Sequence, residues 1–274
     1  MQGGHLRYRA FLRKVLNHCN NIGLVNSIIF VPEYLCKRIS THYFRKFNTP
    51  TLAELNRISL SAHHSVHTMP IFPDNENGEL SWYDIEAEYK LLIEELGKRQ
   101  KSTSTILAYP SEFAIESNTR LLLYALTRIV KPRIFLECGV ADGHSTFFIL
   151  NALLQNGHGH LYSVDVNANV GSLLSESEKK LWSLKILNRK KPRQDFKIFV
   201  DSLLSIDLFL HDSDHSYGWQ LFEYSCVAPK LGSTGIFISD DIDASYAFID
   251  FCVNNRLTPI LLFDERKIVG VVKM

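Results

Sequence analysis

Three carboxylates and an imidazole define the chemistry open to this sequence. Asp212 and His215 lie in FLHDSDHSY, directly after a strand-like apolar run, and Asp240 and Asp241 lie in GIFISDDID, directly after another. The stretch between them has room for one helix and one strand, which places both acidic groups at the same edge of a parallel sheet. Hard oxygen donors gathered there can hold a hard divalent cation. An imidazole beside them can accept a proton near neutral pH.

A second signal lies upstream, in RIFLECGVADGHSTFFIL, where a strand-like run from Ile134 to Cys138 meets Gly139 and Gly143 before an apolar segment. Glycines at such a turn let the backbone bend sharply and approach a ligand with no side chain intervening. The next strand-like run, HLYSVDV, ends at Asp165. An acid at that strand end suits a ribose diol.

The order ECGVADGHST, YSVDV, VDSL, IDLFLHDSDHSYG and LGSTGIFISDD resembles the class I S-adenosylmethionine-dependent methyltransferases, and among them the metal-dependent O-methyltransferases of the catechol and macrolide-sugar types. The resemblance covers about Tyr109 to Met274. It implies that Glu137, Gly139, Gly143 and Ser145 wrap the cofactor's methionine part, that Asp165 binds its ribose and that Asp201 and Ser202 lie on the adenine side. It also implies that Asp212, Asp240 and Asp241 hold a divalent metal. Two departures stand out. Relatives read Asp-Gly-Asp-His where this chain has Asp212-Ser213-Asp214-His215. Ala141 replaces a more glycine-rich loop, which is tolerable so long as its φ stays negative.

Methyl transfer from a sulfonium to a hydroxyl is an in-line displacement, and a neutral hydroxyl is a poor nucleophile. A cation on that oxygen lowers its pKa and fixes its direction. All-oxygen ligation suits Mg²⁺, with Mn²⁺ as the second candidate. His215 is assigned as the general base beside Asp212. Asp214 competes for either role, because the sequence does not fix which of Asp212 and Asp214 points inward. The plain counterpart is that Asp240 and Asp241 only cap a following helix.

The elements that must position these residues form an α/β pattern. It reads as a helix over 112–130, strands near 133–138, 160–165, 196–200, 206–211 and 235–239, and a closing pair of strands about the turn Asp264 to Lys267. That is a Rossmann-like, seven-stranded, mostly parallel sheet with helices on both faces and an antiparallel last strand. Residues 106–274 are assigned to this domain. Residues 1–105 are assigned to a mainly helical extension acting as lid, substrate region or oligomerisation element. Within it 6–47 is helical and basic, PDNENGELSW is turn-rich, and Ile85, Tyr89, Leu92 and Leu96 mark a helix that Gly97 stops.

Composition narrows the partners. Thirty basic against 29 acidic residues leave a net charge of +1, which gives no field favouring nucleic acid or an anionic membrane and favours a small hydroxylated substrate. The five cysteines form no C-x-x-C pair, and Cys138 and Cys252 sit in apolar runs, which fits a reduced, cytoplasmic setting. The apolar run IGLVNSIIFV is half the length of a membrane span, and the first residues lack a signal-peptide pattern. Such an apolar extension suits a homo-oligomer. His63, His64 and His67 read as loop or lid residues, the run Arg189 to Arg193 as solvated surface, and Trp219, Phe222 and Tyr224 as helix packing, with substrate contact the alternative for Trp219.

Two other classes remain open. An NAD-dependent dehydrogenase would share the glycine turn and Asp165, but the loop is not Gly-x-Gly-x-x-Gly and no Tyr-x-x-x-Lys pair follows. A binding protein could keep the fold without turnover, although the acids and the histidine are intact.

Overall fold

A computed structural model describes residues 45–72, 80–102, 107–110 and 114–274. Most of the basic helical segment 6–47, the apolar run 22–31, Cys19, Cys36 and most of PDNENGELSW lie outside the described residues. Helices α1 (Leu52–Ile58) and α2 (Trp82–Lys101) flank the short strand β1 (Ser61–His63), and α3 (Ser117–Val130) leads into the main alternation. There follow β2 (Ile134–Cys138), α4 (His144–Asn156), β3 (His160–Asp165), β4 (Trp182–Ile186), α5 (Pro192–Ser202), β5 (Ile206–His211) and α6 (Tyr217–Val227). The chain closes with β6 (Leu231–Ser239), α7 (Ala247–Asn255), β7 (Ile260–Phe263) and β8 (Ile268–Lys273).

The strands form one sheet in the order β1-β7-β8-β6-β5-β2-β3-β4. β8 runs antiparallel to both β6 and β7, and every other pairing is parallel. The fold is therefore the expected α/β sheet with an antiparallel last strand. It has eight strands where seven were expected, because Ser61, Ala62 and His63 pair with Ile260, Leu261 and Leu262 at the edge. His63 thus sits in a strand, its ring bonded to Ser61 and Thr68, and not in a lid.

Strand alternation divides the core between two faces. Leu208 and Leu210 of β5 pack with α2, α3 and α4, whereas Phe209 packs with α5, α6 and α7. α3 ends where Lys131 adopts a left-handed φ of 49° before Pro132, a sharp stop that feeds β2. α2 runs through Gly97 to Lys101, so that glycine does not stop it. Among the described residues nothing lies within 4 Å of the Cβ position there, and an isolated helix glycine costs only about 1 kcal/mol against the packing that holds the rest. That packing includes the buried Ile85 and Leu96 and ion pairs from Glu88 to Arg128 at 2.8 Å and from Arg99 to Glu178 at 2.7 Å. No described helix is long and apolar enough to cross a membrane.

One expected strand is a helix. Residues 196–200 lie in α5, and the place beside β3 is taken by β4, whose Trp182 to Ile186 pair in register with Leu161 to Asp165. The physical reason is spacing. The buried Phe196 and Val200 are four apart, on one helical face, and Pro192 occupies the first turn, where its missing N–H is harmless.

Candidate active site

The sheet changes direction at β2, which has β3 and β4 on one side and β5 and β6 on the other. Ligands bind outside the strand carboxyl ends at such a switch point. A cavity of about 620 Å³ opens there, and its walls include Tyr109, Gly139, Asp165, Asp212, His215 and Trp219.

On the β2–β3 side the chain spends its polar groups on itself. Glu137 is fully buried and accepts hydrogen bonds from Ser145 Oγ at 2.6 Å, Thr146 Oγ1 at 2.9 Å and Ser163 Oγ at 2.6 Å. Burial pushes its pKa up to about 7 against the pull of the three hydroxyls. Its carboxylate therefore lies beneath the glycine loop and off the cavity wall, and Ser145 lines the cavity with its hydroxyl turned to Glu137. Asp165 is on the wall, where it accepts from Val140 N at 3.0 Å and Asn167 N at 2.9 Å. Asp142, which the sequence reading passed over, accepts from Ala108 N, Tyr109 N and Ser172 Oγ and so ties Tyr109 to the cavity rim.

The loop geometry explains its glycines. Gly139 has φ of 90°, and a Cβ there would lie 1.9 Å from the carbonyl oxygen of Asp212, so only glycine lets β2 and β5 end side by side. Ala141 has φ of 48° and does not keep the negative value expected of it. It is held there by Gly171 N, which donates to its carbonyl at 2.8 Å, while Gly143 N closes the turn on Val140 O. A left-handed alanine is strained and persists only when its surroundings over-determine it.

On the β5–β6 side the polar groups converge without being consumed. Asp212, His215 and Asp240 bring ligand atoms within 4.8 Å of one another. Asp240 is 1% exposed, and its Oδ1 has no hydrogen-bond partner among the described residues. Burial and the neighbouring Asp240 carboxylate push Asp212 well above the usual range, and the same two causes raise Asp241 to about 6. Asp241 follows at a left-handed φ of 48°, with Oδ2 3.5 Å from His215 Nε2. Asp214 also lines the cavity but is exposed and accepts from Ser216 N at 2.8 Å, whereas Asp212 brings its carboxylate into the cluster with His215 and Asp240. His215 Nε2 lies 3.7 Å from Asp212 Oδ1, and burial, then His211, lowers its pKa to about 4. Its ring is neutral at pH 7 and can accept a proton.

Two residues here were missed in the sequence. Lys267, expected only as a turn residue, reaches into the cluster with Nζ 2.7 Å from Asp240 Oδ2 and 3.7 Å from Asp241 Oδ2. Burial disfavours its charge, but the carboxylates of Asp240 and Asp212 outweigh that and raise its pKa. Glu223 on α6 pairs with buried His211 Nδ1 at 2.6 Å and accepts from Trp219 Nε1 and Ser213 Oγ. The His211 ring meets His215 edge-on at 5.3 Å. A glutamate on a helix facing an apolar strand carries no sequence signal of an acid–imidazole pair.

Asp201 and Ser202 are not at the cavity. They end α5, exposed, with Asp201 paired to Lys197 at 2.7 Å and Ser202 donating to Phe199 O. Their placement follows from the helix standing where a strand was expected. His64 stacks on Phe263 and His67 meets Glu86 at 3.1 Å. Arg189 and Arg193 bond to Val166 O and Gly218 O, beside the cavity residues Leu187 and Pro192.

Residues 136–242 match the model of a methyltransferase domain. That segment spans the glycine loop, Asp165 and the acidic strand ends, so the match to a methyltransferase domain covers most of the walls of the cavity. Similar solved structures include an O-methyltransferase from Bacillus cereus in complex with SAH, 11% identical over 69% of this chain and 91% of that one, with a TM-score of 0.45. TomG from Streptomyces achromogenes, an O-methyltransferase involved in tomaymycin synthesis, is 15% identical over 67% and 89% with a TM-score of 0.48. The SAH-bound Podospora anserina methyltransferase PaMTH1 is 11% identical over 89% and 96%, with a TM-score of 0.48. No curated protein matches the chain.

Proposed function

We propose that this chain is a divalent-cation-dependent O-methyltransferase acting on a hydroxyl of a small molecule, a sugar or a natural-product intermediate, with His215 as the general base. The observation that supports this most is the buried, unpartnered Oδ1 of Asp240 beside Asp212 and His215. Burial and the Asp240 carboxylate raise Asp212 and Asp241 even with Lys267 alongside, which favours a further positive charge at the cluster. Asp212, Asp240 and Asp241 would hold Mg²⁺ or Mn²⁺, which supplies charge that lowers the acceptor hydroxyl's pKa. S-adenosylmethionine supplies an electrophilic methyl group.

The chain's own residues then divide the work. Gly139 keeps the β2 turn low enough to leave the cavity open, Glu137 holds the first turn of α4 through Ser145 and Thr146, and Asp165 offers carboxylate oxygen to a ribose diol. His215, neutral and 24% exposed, takes the acceptor's proton at Nε2, the nitrogen that faces Asp212 and Asp241. Trp219 lines the acceptor side of the cavity. The free, buried Cys138 and Cys252 favour a reducing, cytoplasmic compartment. We further assign the segment before residue 106 to substrate choice or self-association.

Isothermal titration with S-adenosylmethionine and with NAD, followed by methyl-transfer assays on hydroxylated acceptors with and without chelator, tests this reading. Binding of S-adenosylmethionine and cation-dependent transfer are expected. Binding of NAD alone, or full transfer after exhaustive chelation, overturns it.

A further inference from the structure

We propose that Lys267 is a tethered counter-cation of the acidic cluster, holding Asp240 when no metal is bound and weakening the cluster's grip on a divalent ion. The inference rests on the metal site proposed above. Its ground is geometric. β7 and β8 form a hairpin closed by Asp264 N donating to Lys267 O at 3.0 Å, and β8 is antiparallel, so its start returns to the edge where β6 ends. Ile242 N donates to Ile268 O at 3.1 Å, which pins the acidic loop to the residue after Lys267. The lysine side chain is 11% exposed and is delivered to the cluster by rigid backbone.

A carboxylate as buried as Asp240 needs a charge partner. Lys267 supplies one to Oδ2 and leaves Oδ1 unpartnered, so the two oxygens are divided between an ammonium already present and a position facing Asp212 and His215. A divalent ion bound to this cluster shares Asp240 with a fixed positive charge a few ångströms away. Repulsion between the two cations opposes metal binding, while the lysine spares the protein an uncompensated acid when metal is absent. No other described cation contacts Asp240. The neighbouring Arg266 is engaged with Glu116 at 2.6 Å.

Mn²⁺ binding, followed by the paramagnetic resonance signal of the free ion, separates the possibilities in the wild-type chain, Lys267→Met and Lys267→Arg without cofactor. Lys267→Met is expected to bind Mn²⁺ about tenfold tighter or more, because the opposing charge is gone; Lys267→Arg should stay near wild type. The Tm of metal-free Lys267→Met should fall, and Mn²⁺ should raise it by more than it raises the wild type's. Wild-type binding with equal or weaker binding by Lys267→Met overturns the role of Lys267 and leaves the metal site standing. Binding by Lys267→Met alone supports that role and overturns metal dependence of the natural chain. Failure of both to bind overturns both ideas. Lys267→Met and Lys267→Gln chains that fold neither with nor without Mn²⁺ also overturn the proposal, since the ion should replace the missing charge.

Discussion

The two halves of the cavity differ in how their acids are satisfied. Glu137, Asp142 and Asp165 receive three, three and two hydrogen bonds from the chain itself, so that half is finished as it folds. Asp212 and Asp240 converge with His215, Asp241 meets His215 and Lys267, and an oxygen of the most buried acid, Asp240, is orphaned. Internally bonded acids fix a loop's shape, whereas crowded, incompletely bonded acids keep free energy in reserve for a ligand of opposite charge. The contrast separates a half whose acids fix the shape of the cavity from the half to which we assign the chemistry.

The most direct way to break that contrast is to deprive the chain of divalent cations. Exhaustive chelation should take methyl transfer to the background rate, and Mg²⁺ or Mn²⁺ should restore it; activity that survives would make the second half as self-contained as the first. Next in size is His215→Ala. It should lower turnover by about 10² to 10⁴ while cofactor affinity holds. Turnover within error of wild type would move the base elsewhere, and the exposed Asp214 would be replaced next.

What the sequence showed and hid follows the same division. β2, β3 and β5 were legible because long apolar runs ended abruptly at Gly139, Asp165 and Asp212, and the alternation of strand and helix forces their ends to one edge. β4 was missed although Trp182, Leu184 and Ile186 alternate with Ser183 and Lys185, because a five-residue, half-polar edge strand carries little signal beside the more apolar α5. With a helix in place of the strand expected at 196–200, Asp201 and Ser202 end α5 away from the cavity. Lys267 was hidden for another reason. A cation in a hairpin turn is ordinarily solvated, and only the antiparallel return of β8 brings this one against Asp240. Ala141 shows the limit of reading residue types, since an alanine gives no warning of φ at 48°.

A smaller effect sharpens the first half. Asp165→Ala should raise the Kd for S-adenosylmethionine about ten- to a hundredfold, the range expected for hydrogen bonds to a charged group, with turnover at saturating cofactor little changed. Calorimetry gives the Kd directly. Unchanged affinity would confine Asp165 to its bonds with Val140 and Asn167. Gly139→Val is a poorer probe of cofactor approach, because its side chain would strike the Asp212 backbone before meeting any ligand.

The smallest effect concerns stability, and it asks whether the satisfied half is electrically silent. Glu137 has its pKa raised to about 7 by burial, from an ordinary value of 4.5. Between those values the folded chain binds the proton more tightly than the unfolded one, so this group's contribution is full below pH 4.5 and is lost as pH rises through 7. The loss amounts to about 3 kcal/mol if the whole shift is expressed. Glu137→Gln keeps the side chain's shape and an oxygen for the hydroxyls while removing the titration. Urea unfolding of both chains at intervals from pH 4.5 to 7.5 should therefore give a stability difference that drifts by about that amount in favour of the variant, the other titrating groups cancelling between them. A difference that stays constant with pH would mean that the three hydroxyls hold Glu137 near its ordinary ionisation. Ser145, Thr146 and Ser163 would then anchor a carboxylate charged at neutral pH, and the two halves would differ in bonding alone.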